Sequence, residues 1–388
     1  MQRLLGAGCV VGFGVLVAAC GREPIQQANV VRADSAGVRI ITSTGPDTAL
    51  AWRFDTIGVL TDSAGEPWLF TRVSPQYVMT DRAGRTYVLD REPVIRRFGR
   101  DGRYERSIGR KGGAPGEMEL PFQLLQQGDS IAVLDMGRGA IVRWGPDLEP
   151  VGDLPLRGGF EGVMRVGFRA GGLWQMVSRY DSTGNLTVLR GDTTGATELA
   201  RVYDPVPKNP RMLTACGGRV TLTQPNFFGR SIHWDHDGPR ALVYAGPDYA
   251  LALYEGNRLL ASVRRDLPTK APTVEDLRRQ FPEGLKLQIP GAECTVPLSE
   301  LTAGPALEGT MPFAFGVTLL KDGTMWVQRS MRNEKPPVLD VFGSDGAYVG
   351  TVRGYYLPVG LLPNGELLVP IDDEESGGLL IARMGVRR

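Results

Sequence analysis

Short β-rich runs recur along this chain at a spacing of about 45 residues, and that internal repeat constrains the fold more than any other feature. Tyr87-Val88-Leu89-Asp90 matches Ala132-Val133-Leu134-Asp135, and each is followed by a second run, Ile95 to Phe98 and Ile141 to Trp144. A later unit, Met325-Trp326-Val327, leads into Val338 to Phe342 and then Gly343-Ser344-Asp345-Gly346, which echoes Phe98-Gly99-Arg100-Asp101-Gly102. With the glycine before each second run as a marker, six units are counted, at Gly84, Gly128, Gly171, Gly238, Gly323 and Gly365. Gly217-Gly218 competes for the fourth place, but the run Arg240 to Tyr244 after Asp237-Gly238 fits the repeat better.

Units of this length, with several strands and loops too short for helices, predict an all-β fold: a six-bladed β-propeller with four-stranded blades. Gly 51 and Pro 28 supply the many turns, while a hydrophobic fraction of 42% still supports a packed core. Runs such as Leu367-Leu368-Val369 and Leu379-Leu380-Ile381-Ala382 suit strands covered on both faces. The last unit is short, so segments between Val38 and Leu60 are expected to complete it. The ring would then be closed by N- and C-terminal strands and carry no open sheet edge.

The segment from Ser107 to Pro121, Ser-Ile-Gly-Arg-Lys-Gly-Gly-Ala-Pro-Gly-Glu-Met-Glu-Leu-Pro, resembles the inter-blade segment of NHL-repeat six-bladed propellers. The match is carried by about Val73 to Pro150. The overall plan also resembles a group of bacterial lipoproteins known only as six-bladed propellers, a resemblance that implies no activity.

The N-terminus predicts export. Arg3 gives a positive start, and an apolar and glycine run from Leu4 to Val17 ends at Val17-Ala18-Ala19-Cys20. That is the form of a signal peptide rather than of a membrane span, and its end resembles a lipobox, which implies lipidation of Cys20. The domain reading is residues 1–19 as leader, 20–36 as a flexible polar tether, and 37–388 as one propeller. Gly21 after the cysteine resembles outer-membrane lipoproteins, which places the chain at the cell envelope with the lipid anchor as its membrane contact.

Of four cysteines, Cys9 leaves with the leader and Cys20 is lipidated. Cys216 and Cys294 then remain in an oxidising compartment, where a disulfide between them is expected. Cys294 lies in a stretch that breaks the repeat, a rim insertion over about 272–312. It holds a short helix with Thr273 as N-cap, Asp276 at the capping-box position, Val274, Leu277 and Phe281 on one face, and Pro282 as its stop. The bond would staple this insertion to the fourth unit, and an ordered rim insertion is one place to look for specificity.

Candidate chemistry is sparse. The only histidines, His233 and His236, sit in Ser-Ile-His-Trp-Asp-His-Asp-Gly, where strand alternation sends them to opposite faces and Asp237-Gly238 reads as a hairpin turn. NHL-type lyases hold zinc with histidines from several blades, which two histidines cannot supply. The acidic run Asp372-Asp373-Glu374-Glu375 reads as a solvated hairpin loop rather than a cation site. The glycines from Gly109 to Gly116 lack the Gly-Lys-Ser/Thr of a phosphate cradle, and no Gly-x-Ser-x-Gly elbow occurs. Lys+Arg 44 against Asp+Glu 43 argues against a broad nucleic-acid surface.

Two functions follow. The favoured one is an envelope-anchored binding or scaffold propeller, monomeric, for a protein, peptide or glycan. The other is a metal-dependent propeller hydrolase or lyase of lactonase type, using calcium held by ligands scattered over the blades. No catalytic or metal-ligating residue is assigned, and no resident cofactor is expected for the binding module.

Overall fold

The computed structural model describes residues 29–387, apart from 91, 128, 157–162, 170–171, 181–185, 193–194, 203–211, 216, 219, 224–226, 229–231, 290–291, 303–306, 308, 330 and 332–335. The leader and Cys20 therefore lie outside the described residues, as does Cys216.

The strands form a β-propeller of small antiparallel meanders. Sheet 1 runs Val78–Thr80, Thr86–Leu89, Ile95–Phe98 and Tyr104–Ile108. Sheet 2 runs Pro121–Gln127, Ser130–Asp135, Ala140–Trp144 and Pro150–Pro155. Sheet 3 comprises Val163–Arg169, Gly172–Tyr180, Leu186–Asp192 and Gly195–Val202; sheet 5 comprises Gly316–Leu319, Met325–Gln328, Val338–Phe342 and Tyr348–Arg353. In sheet 6, Gly360–Leu361, Leu367–Asp372 and Leu379–Arg387 are joined by Arg53–Val59, which pairs antiparallel with the last strand. The expected closure of the ring by strands from both ends is thus observed.

Sheet 4 departs from the pattern. Its meander Ile232–Asp237, Arg240–Ala245, Ala250–Glu255 and Arg258–Asp266 is widened to six strands, because Val38–Thr44 pairs parallel with the outer strand and Asn29–Ser35 pairs with Val38–Thr44. The expectation of six four-stranded blades is corrected accordingly: five sheets have four strands and this one does not. Of the segment 20–36 read as a tether, residues 20–28 lie outside the described residues, and 29–35 form a strand instead. Asn29–Ser35 is mostly exposed but ordered by backbone pairing, and Arg32 reaches Asp345 at 2.6 Å.

Local chemistry explains the repeat. Each Asp that ends a matched second strand turns its carboxylate onto the backbone of the segment entering that blade. Asp135, fully buried, accepts from the N–H groups of Glu119, Leu120, Gly137 and Arg138 at 2.6–3.1 Å. Asp90 does the same with the N–H and hydroxyl of Thr71. The echoed turns share a bulge, between Arg97/Phe98, Arg143/Trp144 and Val341/Phe342. At the turn position that demands positive φ, Gly102 and Gly346 have φ 89° and 87°, while sheet 2 places Leu148 there at φ 67°. Leu148 is buried against the sheet 1–sheet 2 core, whose apolar contacts offset part of the left-handed strain.

Inner and second strands are joined by hairpins on one side of the ring, the hairpin face. Crossings from each outer strand to the next inner strand leave on the other side, the crossover face. Both long insertions are crossings. One carries the hairpin Met212–Ala215 with Val220–Thr223, so Gly217-Gly218 marks this extra hairpin while Gly238 marks the blade, as the repeat required. The other carries the helix α1 (Val274–Gln280), the hairpin Leu285–Ile289 with Ala292–Val296, and the single turn α2 (Leu298–Leu301).

The Thr273–Asp276 capping box is present, and Leu277 is buried. Val274, expected on the apolar face, is 41% exposed. The helix lasts only seven residues, so its buried side is Asp276 and Leu277, and Phe281 serves as C-cap. The insertions share one core containing Leu213, Ala215, Phe228, Leu277, Val296 and Met331. Cys294 packs beside it and is disulfide-bonded.

Candidate functional site: the axial channel and its mouth

Each inner strand stands at a sheet edge beside the propeller axis, so the axis is lined by consecutive residues of these strands. A channel of about 350 Å³ runs there, walled by the inner strands of sheets 1, 2, 4, 5 and 6. Its polar lining includes Thr80, Gln123, Gln126, Asp235, His236, Thr318 and Lys321.

Several of these groups link blades to one another. Asp235 accepts the N–H of Leu319 at 2.9 Å, sheet 4 to sheet 5. Thr80 Oγ1 donates to the carbonyl of Leu361 at 3.1 Å, sheet 1 to sheet 6. Gln123 Nε2 and His236 Nε2 meet at 3.2 Å across the channel. Lys321 Nζ donates to the carbonyl and hydroxyl of Thr80 at 2.7 and 3.1 Å. Desolvation of the ammonium lowers its pKa below the usual lysine value, against the opposing pull of Asp237 and Asp81.

At the hairpin face the channel meets a larger cavity of about 800 Å³ between sheets 5 and 6. Arg82, Leu320, Lys321 and Leu361 line both, so the two cavities adjoin at these side chains, and the junction at Lys321 is called the throat below. Trp52, Trp326, Leu362 and Leu367 make apolar walls, with the two indoles edge-on at 6.4 Å. The rim carries Asp81, Asp322, Asn364 and Glu366. Asp81 is held by Arg85 at 2.6 Å and by the Tyr87 hydroxyl at 3.1 Å; burial first, and then that carboxylate, push the Tyr87 pKa up to about 12. Asp237 is paired with Arg240, and Glu366 with Arg383.

The residues singled out in the sequence are distributed differently. His236 reaches the axis, whereas His233 stacks on Tyr244 in the blade, the divergence that strand alternation predicts. Asp373 closes its hairpin by accepting from the N–H and hydroxyl of Ser376, and Asp372 accepts from Tyr356. The Gly109–Gly116 segment is an inter-blade loop braced by Arg110–Glu117 and by Arg138 on the carbonyls of Ala114 and Glu117, with Met118 fully buried beneath it. Among the described residues no three His, Cys, Asp or Glu side chains converge as metal ligands. No helix of those residues is long and apolar enough to cross a membrane.

Sequence reasoning missed Thr80, Gln123, Thr318 and Lys321. The one available signal was a polar residue at an axis-facing position of an inner strand, visible only once the blade register is known.

A mostly β propeller with a polar axis and a mouth on its hairpin face is the class of protein that this fold and site define. One solved structure agrees with the fold. A putative exported protein from Bacteroides fragilis is similar over 90% of this chain and 100% of its own, with 11% identity and a TM-score of 0.51. A member of the DUF4221 family from Bacteroides vulgatus matches 87% of this chain and 99% of its own, at 8% identity and a TM-score of 0.49. No protein-family model matches the chain, and no curated protein matches it in sequence.

Proposed function

We propose that this chain is an exported propeller that binds a protein segment, peptide or glycan at its axial mouth. The observation that carries the reading is the adjacency of channel and cavity at the Lys321 throat, which gives a concave region of ligand size with apolar walls in the cavity and polar groups along the axis and rim. On this reading sheet 4 serves as a sixth blade, its hairpin Asn29–Thr44 being an addition to the ring. Cys20 carries the lipid anchor at the envelope, and the disulfide of Cys294 is made with Cys216, whose neighbour Ala215 packs in the same insertion core. The carboxylates around the mouth are engaged by arginines or threonines, an arrangement that favours recognition over metal-assisted hydrolysis.

Leu361 lies on the wall shared by both cavities and is only partly buried, so Leu361→Trp should block the throat while leaving the fold intact. Calorimetry with panels of short peptides and oligosaccharides is expected to find a ligand that the wild type binds and the variant does not. A ligand bound equally by both would refute the axial reading. Palmitate labelling lost in Cys20→Ser tests the anchor, and an intact mass unchanged on reduction would refute the disulfide.

A further inference from the structure

Two side chains at the throat and two buried ones beside it have donors to spare. Arg82 forms no ion pair or hydrogen bond among the described residues, although it lines both cavities. Lys321 directs two hydrogen bonds to Thr80 but pairs with no described carboxylate. Below them, Thr318 Oγ1 and Trp326 Nε1 are buried without a hydrogen-bond partner, on residues only 2% and 3% exposed. Thr318 lines the channel and Trp326 the larger cavity. Those two donors are sealed within the wall, whereas the cations Arg82 and Lys321 face the cavities without a described carboxylate, so an occupant that brings an anionic acceptor is favoured.

The acceptors nearby are already engaged. Asp81, Asp237 and Glu366 are each held by an arginine, Asp322 accepts from the N–H and hydroxyl of Thr324, and Asp235 takes the Leu319 N–H. A sugar would present many hydroxyl donors to a wall with few acceptors to offer. A carboxylate beside an apolar group matches both the cations of the throat and the Trp52–Trp326 wall.

We propose that the axial mouth captures the free C-terminal end of a peptide. Its carboxylate lies between Arg82 and Lys321, and its last apolar side chain enters the cavity between sheets 5 and 6. This inference rests on the axial-site reading above and narrows its ligand class.

The test uses the detergent-solubilised full chain with three probes: N-acetyl-Gly-Leu-Phe with a free carboxylate, the same peptide as its C-terminal amide, and a trigalacturonate. Tryptophan emission and calorimetry should show binding of the acid, with the amide at least about tenfold weaker, as expected for loss of a charge-assisted contact. Lys321→Met and Arg82→Met should each weaken the acid by about tenfold while leaving the amide unchanged, and Lys321→Arg should restore much of the loss. Equal binding of acid and amide, blocked by Leu361→Trp, would overturn the carboxylate inference and leave the axial site standing. Binding of trigalacturonate in place of the peptide would overturn the peptide class alone. Failure of the acid to bind overturns this inference, while the wider ligand panels decide the axial reading separately. Binding of the acid that survives Leu361→Trp sinks both.

Discussion

Two fully buried aspartates show how differently two regions of this ring are built. Asp135, in the regular part, is satisfied by four backbone N–H groups of its own neighbourhood. Asp340 lies where sheet 5, sheet 4 and the N-terminal segment meet, and its partners are all side chains: Arg265 at 3.2 Å, Arg329 at 3.5 Å, the hydroxyl of Tyr249 at 2.7 Å and that of Thr351 at 2.6 Å. Arg265, whose side chain is wholly buried, also reaches Asp47 at 2.9 Å and lies over the Tyr348 ring at 3.8 Å. A backbone-satisfied carboxylate needs only the local turn and can recur in each repeat. One satisfied by distant side chains exists only once the chain has assembled, and it specifies a single junction.

Substitutions should separate the two regions. The largest effect is expected from Asp340→Ala, which takes from the buried Arg265 its buried carboxylate and leaves it only the partly exposed Asp47, and should cost about 3–5 kcal/mol in urea unfolding. Adding Arg265→Met should recover part of that loss; no recovery would show that the cluster is not held by charge pairing. Asp135→Ala should cost less, about 1–3 kcal/mol, by orphaning backbone donors. Asp135→Asn should be milder, since Oδ1 accepts three of the four bonds and an amide oxygen can take that place.

Acid should act on the junction before the repeats. Burial tends to raise the pKa of Asp47, but Arg329 and Arg265 outweigh it and hold the group below its ordinary 3.8. Its folded pKa lies below its unfolded one, so its contribution is complete above pH 3.8 and is lost as the pH falls from there through the depressed value. Asp345, lowered mainly by the Ala347 N–H and also by Arg32, follows the same course. Proteolysis at decreasing pH should therefore cut 29–50 before sheets 1 and 2; simultaneous cleavage would remove the distinction. The smallest effect is expected from Arg32→Ala, whose exposed pair with Asp345 should contribute at most about 1 kcal/mol.

The same contrast explains what could be read in advance. The blades, the closure of the ring and the capping box of α1 follow from local rules: alternation, turn glycines, and a carboxylate three residues after a threonine. Leu148 hid one turn of the series by occupying a glycine position, yet the flanking Trp144 and Pro150 kept the register readable. Asn29–Ser35 was misread because a strand that hangs on an outer edge has no apolar face to betray it. The axial site was invisible for another reason. Thr80, Thr318 and Lys321 become neighbours only through the ring, and nothing within any one repeat distinguishes them from ordinary polar residues.

The clasp of sheet 6 has a mechanical corollary. Arg53–Val59 holds the ring shut against Leu379–Arg387, but ahead of it in the chain stands the Asn29–Thr44 hairpin, bolted to sheet 4 by parallel pairing and followed by Asp47, which Arg265 and Arg329 hold. A pull applied at Asn29 therefore loads the hairpin first and reaches the clasp only after the Asp47 bolts have sheared. The added strands work as a strain relief, like the knot tied in a cord before it enters a housing, and tugging at the leading end peels an accessory before it can unwind the ring.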